Sequence, residues 1–215
     1  MLADLLNPEK ALIFRITHCQ NIPWILEHGL HCRTSETLDP DFIEIGNPDV
    51  IARRRDRAVP IAPGGVLAHY VPFYFTPRSP MLFNITSGYQ GMKRTRANDI
   101  AIIVASLREL QSQGVAFLLT DRNAALATAT YANDLSGLDR LDWPRLKASD
   151  FSRSPDDPGK IERYQAEALI HRHLPTNQLM GIAVYDEVAE ASLRPALTSR
   201  GSSLKLAVRR HWYCS

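Results

Sequence analysis

Apolar residues fall along this chain in short compact runs broken by polar, proline-bearing stretches, a pattern that predicts mixed α and β structure. Residues 11–16 (ALIFRI) read as a strand. Asn21, Ile22 and Pro23 then open a short helix over 24–28 that stops at Gly29, the punctuation expected of a helix start and end. Residues 31–65 are polar and carry Pro40, Pro48, Pro60 and Pro63. So long a segment without periodicity predicts a functional loop or lid. YVPFYF at 70–75 reads as an aromatic strand, with Pro72 implying an edge or irregular position. Residues 100–105 (IAIIVA) and 116–119 (AFLL) are buried-strand candidates, and 123–133 is expected to be helical. Over 161–173 two readings stand: a helix carrying Tyr164, Ala168 and Leu169, or strand-like alternation from 166 to 170. LMGIAV (179–184) and LKLAV (204–208) close the chain as strands. Several strands with segregated short helices predict an α+β fold. No G-x-G-x-x-G follows a strand, which argues against a Rossmann dinucleotide site.

Composition narrows the class. The 215 residues suit a single domain spanning 1–215; 45% are hydrophobic and 22% charged, a soluble globular balance. No apolar run approaches the roughly 20 residues a membrane helix needs, and Met1-Leu2-Ala3-Asp4 is not a secretory start. Three cysteines, Cys19, Cys32 and Cys214, without CxxC spacing argue against a disulfide framework or zinc ribbon, so a cytoplasmic, reduced setting is expected. Net charge is only +2, yet basic residues cluster: Arg53, Arg54, Arg55 and Arg57; Lys93, Arg94 and Arg96; Arg209 and Arg210. Such patches suit phosphates, and each alone also fits a plain solvated face.

Three places could carry chemistry. His18 follows the first strand, with Asn21 and Gly29 close behind, a polar cluster that either meets a ligand or holds the local structure. Residues 53–81 put arginines beside Tyr70, Phe73, Tyr74 and Phe75, a combination that suits a ligand with phosphates and flat rings, although the alternate positions facing inward belong to the core and only one or two of the tyrosines are open to a ligand role. Glu167 sits among small and apolar residues in YQAEALI, where a carboxylate is paired, functional or on a helix surface. No glycosidase-like carboxylate pair, G-x-S-x-G or H-E-x-x-H occurs, and His171 and His173 lack ligand partners, so no metal is expected.

At these same residues the chain resembles the DarT family of DNA ADP-ribosyltransferase toxins. The matching stretches are FRITHCQNIPWILEHGLHC, VPIAPGGVLAHYVPFYFTPRSPML, RYQAEALIH and the closing VRRHWYCS. The resemblance implies a compact ADP-ribosyltransferase fold related to the poly-ADP-ribose polymerases, with a central split antiparallel sheet and flanking helices. It implies NAD as ADP-ribose donor and a base in single-stranded DNA as acceptor, typically thymidine, with guanine the target of a related branch. A protein-directed transferase and a non-catalytic nucleic-acid-binding module are the competing readings. The resemblance puts the family's catalytic residues on Glu167 and Arg54, and its NAD contacts on His18, Tyr74 and Met81; Asn21, Gly29 and Arg54 join them as expected cofactor residues. Arg53, Arg55, Lys93 and Arg94 are expected to track DNA, with residues 31–65 covering the substrate. In TDRNAALA the family commonly carries His where this chain has Asn123, a residue expected near the base that can hydrogen-bond it but cannot shuttle protons. A macrodomain antitoxin is the implied partner, and a monomer the expected state.

Overall fold

The computed structural model describes residues 1–199 and 204–214. Its strands are β1 (Leu12–His18), β2 (Leu30–His31), β3 (Tyr70–Tyr74), β4 (Ile100–Ser106), β5 (Phe117–Thr120), β6 (Tyr131–Ala132), β7 (Glu167–His171), β8 (His173–Leu174), β9 (Gly181–Val184) and β10 (Lys205–Val208). The helices are α1 (Ile22–His28), α2 (Pro48–Arg55), α3 (Pro80–Ser87), α4 (Leu107–Ser112), α5 (Trp143–Ala148), α6 (Lys160–Tyr164) and α7 (Glu187–Ser199). An eight-stranded sheet runs β10-β9-β4-β1-β3-β7-β5-β6, antiparallel throughout except for the parallel β9–β10 pair; β2 and β8 form a separate ribbon. The α+β expectation holds. Ser215, the last residue of the closing motif, lies outside the described residues.

β4 is buried along its whole length because its IAIIVA run feeds both faces of the sheet. β3 instead alternates. Val71, Phe73 and Phe75 enter the main core, while Tyr70, Pro72 and Tyr74 face the other side. Pro72 is not on an edge, since β3 lies between β1 and β7. The irregularity it implies is present, however. β1 and β3 pair at Phe14 and Tyr74 and then part. Arg15 Nη1 donates to the Pro72 carbonyl at 2.9 Å across the gap. A strand residue's N and C=O point toward the same neighbour. The missing N–H of Pro72 therefore faces the split, where no ladder partner requires it.

Three expectations are corrected or resolved. Residues 31–65 are not all loop: α2 forms inside them, started by Pro48 and by Asn47, whose side chain accepts from Asp49 N and Val50 N. Residues 123–133 are not helical. Asn123 Oδ1 accepts from Ala125 N, and Tyr131 enters the short edge strand β6. Over 161–173 both readings apply in turn, α6 ending at Tyr164 and β7 starting at Glu167.

Candidate active site

The split between β1 and β3 opens into a cavity of about 270 Å³, walled by both strands, by α2 and its preceding loop, and by the start of α3. Strand register decides what meets there. Tyr74 pairs with Glu167 across β3–β7, and Glu167 with Thr120 across β7–β5, which places these side chains on one face. Glu167 is 1% exposed. It is nonetheless hydrogen-bonded at both oxygens: Arg54 Nη1 donates to Oε1 at 2.8 Å, Arg54 Nη2 to Oε2 at 2.6 Å, and Ala124 N to Oε1 at 3.0 Å. Oε2 keeps a lone pair for a further donor.

Burial works against the Arg54 charge, but the Glu167 carboxylate beside it raises its pKa above the ordinary arginine value. Arg54 is thus a fixed cation. Asn123 extends the pair: its Oδ1 accepts from Arg54 Nη1 at 3.3 Å, and its Nδ2 donates to Gln165 Oε1 at 3.0 Å. Tyr74 donates to Met81 Sδ at 3.9 Å, and burial, with Glu167 nearby, pushes the phenol up to about 12.

Of the expected residues, Glu167, Arg54, Arg55, Tyr74, Met81 and Asn123 line this cavity. His18, Asn21 and Gly29 do not. Asn21 is buried and pins the cavity loop from behind, bonding the backbone N and O of Ile43. His18 Nδ1 accepts from Gln20 N, capping the turn that leads to α1. Gly29 (φ +79°) is imposed by packing, because a Cβ there would lie 2.5 Å from the Leu174 carbonyl oxygen. Arg53, Lys93 and Arg94 are exposed outside the cavity, with Arg94 Nε tied to the Thr86 carbonyl. Arg210 packs over the Tyr185 ring.

Sequence reasoning missed Gln165, Arg15 and the Ala124 amide. Gln165 stands two residues before Glu167, and Arg15 interrupts an apolar strand; each was a visible signal. The Ala124 N–H had none. Among the described residues no His/Cys/Asp/Glu group could hold a metal, and no helix is long and apolar enough to cross a membrane.

A family model described as single-stranded DNA thymidine ADP-ribosyltransferase, DarT, matches residues 14–214. A DNA ADP-ribosyl transferase of Escherichia coli O127:H6 is 49% identical, covering 98% of this chain and 96% of that one. The structure of Thermus sp. 2.9 DarT in complex with ADP-ribosylated single-stranded DNA superposes with a TM-score of 0.89 at 32% identity, covering 97% of this chain and 98% of that one. The same Thermus protein in complex with NAD+ gives 0.81 at 33% identity, covering 97% and 100%. A Thermosipho africanus protein, described as a fusion of DNA ADP-ribosyl transferase and DNA ADP-ribosyl glycohydrolase, is 24% identical over 90% of this chain and 47% of its own length.

Proposed function

The chain belongs to the DarT family of single-stranded DNA thymidine ADP-ribosyltransferases, and on that premise we propose how its cavity performs the transfer. The enzyme uses NAD to ADP-ribosylate a base in single-stranded DNA, and thymidine is the base the family description names. The bidentate Arg54–Glu167 pair at the sheet split is the observation that carries the residue assignment.

Breaking the nicotinamide–ribose bond leaves positive charge on the ribose. Glu167, accepting from a ribose hydroxyl through the spare lone pair of Oε2, stabilises that charge most in the transition state. Arg54 and the Ala124 N–H fix the carboxylate so that no reorganisation is needed as the charge develops. Tyr74 and Met81 supply an apolar and aromatic wall for the nicotinamide. A thymine whose N1 carries the sugar has one ring nitrogen left, N3, and it becomes bonded to the ribose carbon as nicotinamide departs and its proton passes to water. Arg54 does not take that proton, because the carboxylate beside it holds its own. The target base must leave the stack to reach this depth, in keeping with a single-stranded substrate.

Asn123 and Gln165 stand where the base edge would meet the Arg54–Glu167 pair. Residues 31–65, through Phe42, Glu44 and α2, form the covering wall. Exposed Arg53, Arg55, Lys93 and Arg94 are assigned to the DNA backbone. The chain acts as the toxin of a pair whose second member, a macrodomain glycohydrolase, reverses the modification; the Thermosipho protein joins two such named activities in one chain. A single domain, acting as a monomer in the cytoplasm without a metal, completes the reading.

The test is a mass measurement. Wild-type protein with NAD should add one ADP-ribose to thymidine-containing single-stranded oligonucleotides. Addition to guanine alone, or labelling of protein with no oligonucleotide labelled, would overturn thymidine or DNA respectively.

A further inference from the structure

Four arginines line the cavity, exposed Arg55 at its rim and Arg15, Arg33 and Arg54 deeper in, beside two carboxylates, Glu44 and Glu167. Arg54 pairs with Glu167, and Arg33 with Glu44. Arg15 is left over. Among the described residues its one hydrogen bond is from Nη1 to the Pro72 carbonyl, and its Nε is buried with no acceptor. Burial pushes this guanidinium down to about 10, with the Glu44 charge opposing the shift, so it is still a cation at neutral pH. A buried cation with unused donors is expensive to keep. Strapping β3 to β1 across the split needs a single N–H, which a neutral side chain would supply at lower desolvation cost. The surplus charge and the unused donors call for an anion.

We propose that Arg15 binds the diphosphate of NAD, its free guanidinium edge donating to phosphate oxygens. This rests on the DarT reading above. The planar fork of arginine matches a pair of phosphate oxygens, and the two neighbouring ion pairs are already neutral, leaving Arg15 as the cation the buried wall offers. Position supports the assignment. Arg15 is on β1 and Glu167 on β7, with β3 between them. A ligand whose ribose meets Glu167 therefore lays its diphosphate across β3 toward β1. The chemistry recognised is a phosphate anion, for which the DNA backbone is a second source, and the two are separable by experiment.

Arg15→Gln and Arg15→Lys would be compared with wild type for NAD KM, for inhibition by ADP-ribose and by nicotinamide, and for oligonucleotide affinity. The expected result for Arg15→Gln is a roughly 10- to 100-fold weakening of NAD and ADP-ribose, the range for a hydrogen bond to a charged group. Nicotinamide inhibition and oligonucleotide affinity stay within about twofold, and Arg15→Lys recovers part of the loss. A purely structural strap would weaken nicotinamide as much as ADP-ribose. That result overturns the proposal, as does a folded Arg15→Gln with unchanged ADP-ribose inhibition or with only its oligonucleotide affinity reduced. Should the variants fail to fold, phenylglyoxal modification of wild type decides: ADP-ribose should shield Arg15 and nicotinamide should not. Equal modification in all three conditions defeats it. Failure of wild type to bind ADP-ribose at all would defeat the DarT reading as well, whereas loss confined to the Arg15 tests would leave that reading intact.

Discussion

Arg54–Glu167 and Lys160–Asp150 have the same 2.6 Å separation and sit in different surroundings. In the cavity, Arg54 meets Glu167, whose side chain is 2% exposed, and the pair is reinforced by a backbone amide and by Asn123. Elsewhere, Lys160, itself buried, meets Asp150, whose side chain is 40% exposed, in a network with Arg145, Asp157, Arg163 and Asp142. The second group ties the hydrophilic segment 149–160 to α5 and α6. Two of its carboxylates are held below their ordinary range, Asp150 by the Lys160 ammonium and Asp157 by the Arg163 guanidinium. Distance alone therefore says little about role. What separates the pairs is the solvation of the carboxylate: Glu167 is cut off from water whereas Asp150 is not, and a buried carboxylate costs more to keep charged.

Breaking the buried pair should have the largest effect. Arg54→Ala leaves Glu167 without its counter-charge, and loss of stability of about 3–5 kcal/mol is expected together with loss of transfer, measured by chemical denaturation and oligonucleotide mass shift. Glu167→Gln keeps the volume and the Ala124 contact while removing the charge. Transfer should fall by about 10²- to 10³-fold or more with the fold intact, read as kcat under saturating NAD. Asn123→Ala deletes the link between Arg54 and Gln165, and a several-fold drop in kcat is expected from a contact of about 1 kcal/mol. Asp150→Asn should lower Tm slightly and leave kcat unchanged; an equal loss of activity would erase the distinction between the two groups.

The Lys160–Asp150 network also predicts a pH response. Asp150 and Asp157 have folded pKa values below their unfolded ones. Their contribution is thus fully present above the unfolded value of about 3.9 and is lost as pH falls below it through the folded values. Thermal unfolding should show this loss below about pH 4, and Asp150→Asn should diminish it.

Legibility followed the physics of each region. The all-apolar β4, the run opening β1 and the Pro and Gly bounding α1 were readable because burial and helix punctuation leave local marks. α2 was not, because none of its residues is buried and it therefore carries no apolar stripe. The helix expected over 123–133 failed for a tertiary reason: Ala124 N, which a helix would leave free at its start, is drawn to Glu167, 43 residues away. His18, Asn21 and Gly29 were legible as a polar turn, but the fold turns them to capping, pinning and packing.

The sequence by itself determined the α+β class and the strands that carry the core, and its long family motifs pointed to Glu167 and Arg54 as the catalytic residues proposed above. It could not determine that these two residues, 113 positions apart, meet as a bidentate pair in one cavity, or that Arg15 lies unpaired in the split between β1 and β3. Apolar periodicity is written along the chain because every strand must bury a face. Which charges neutralise each other depends on strand order and register, and those are settled only when the sheet assembles.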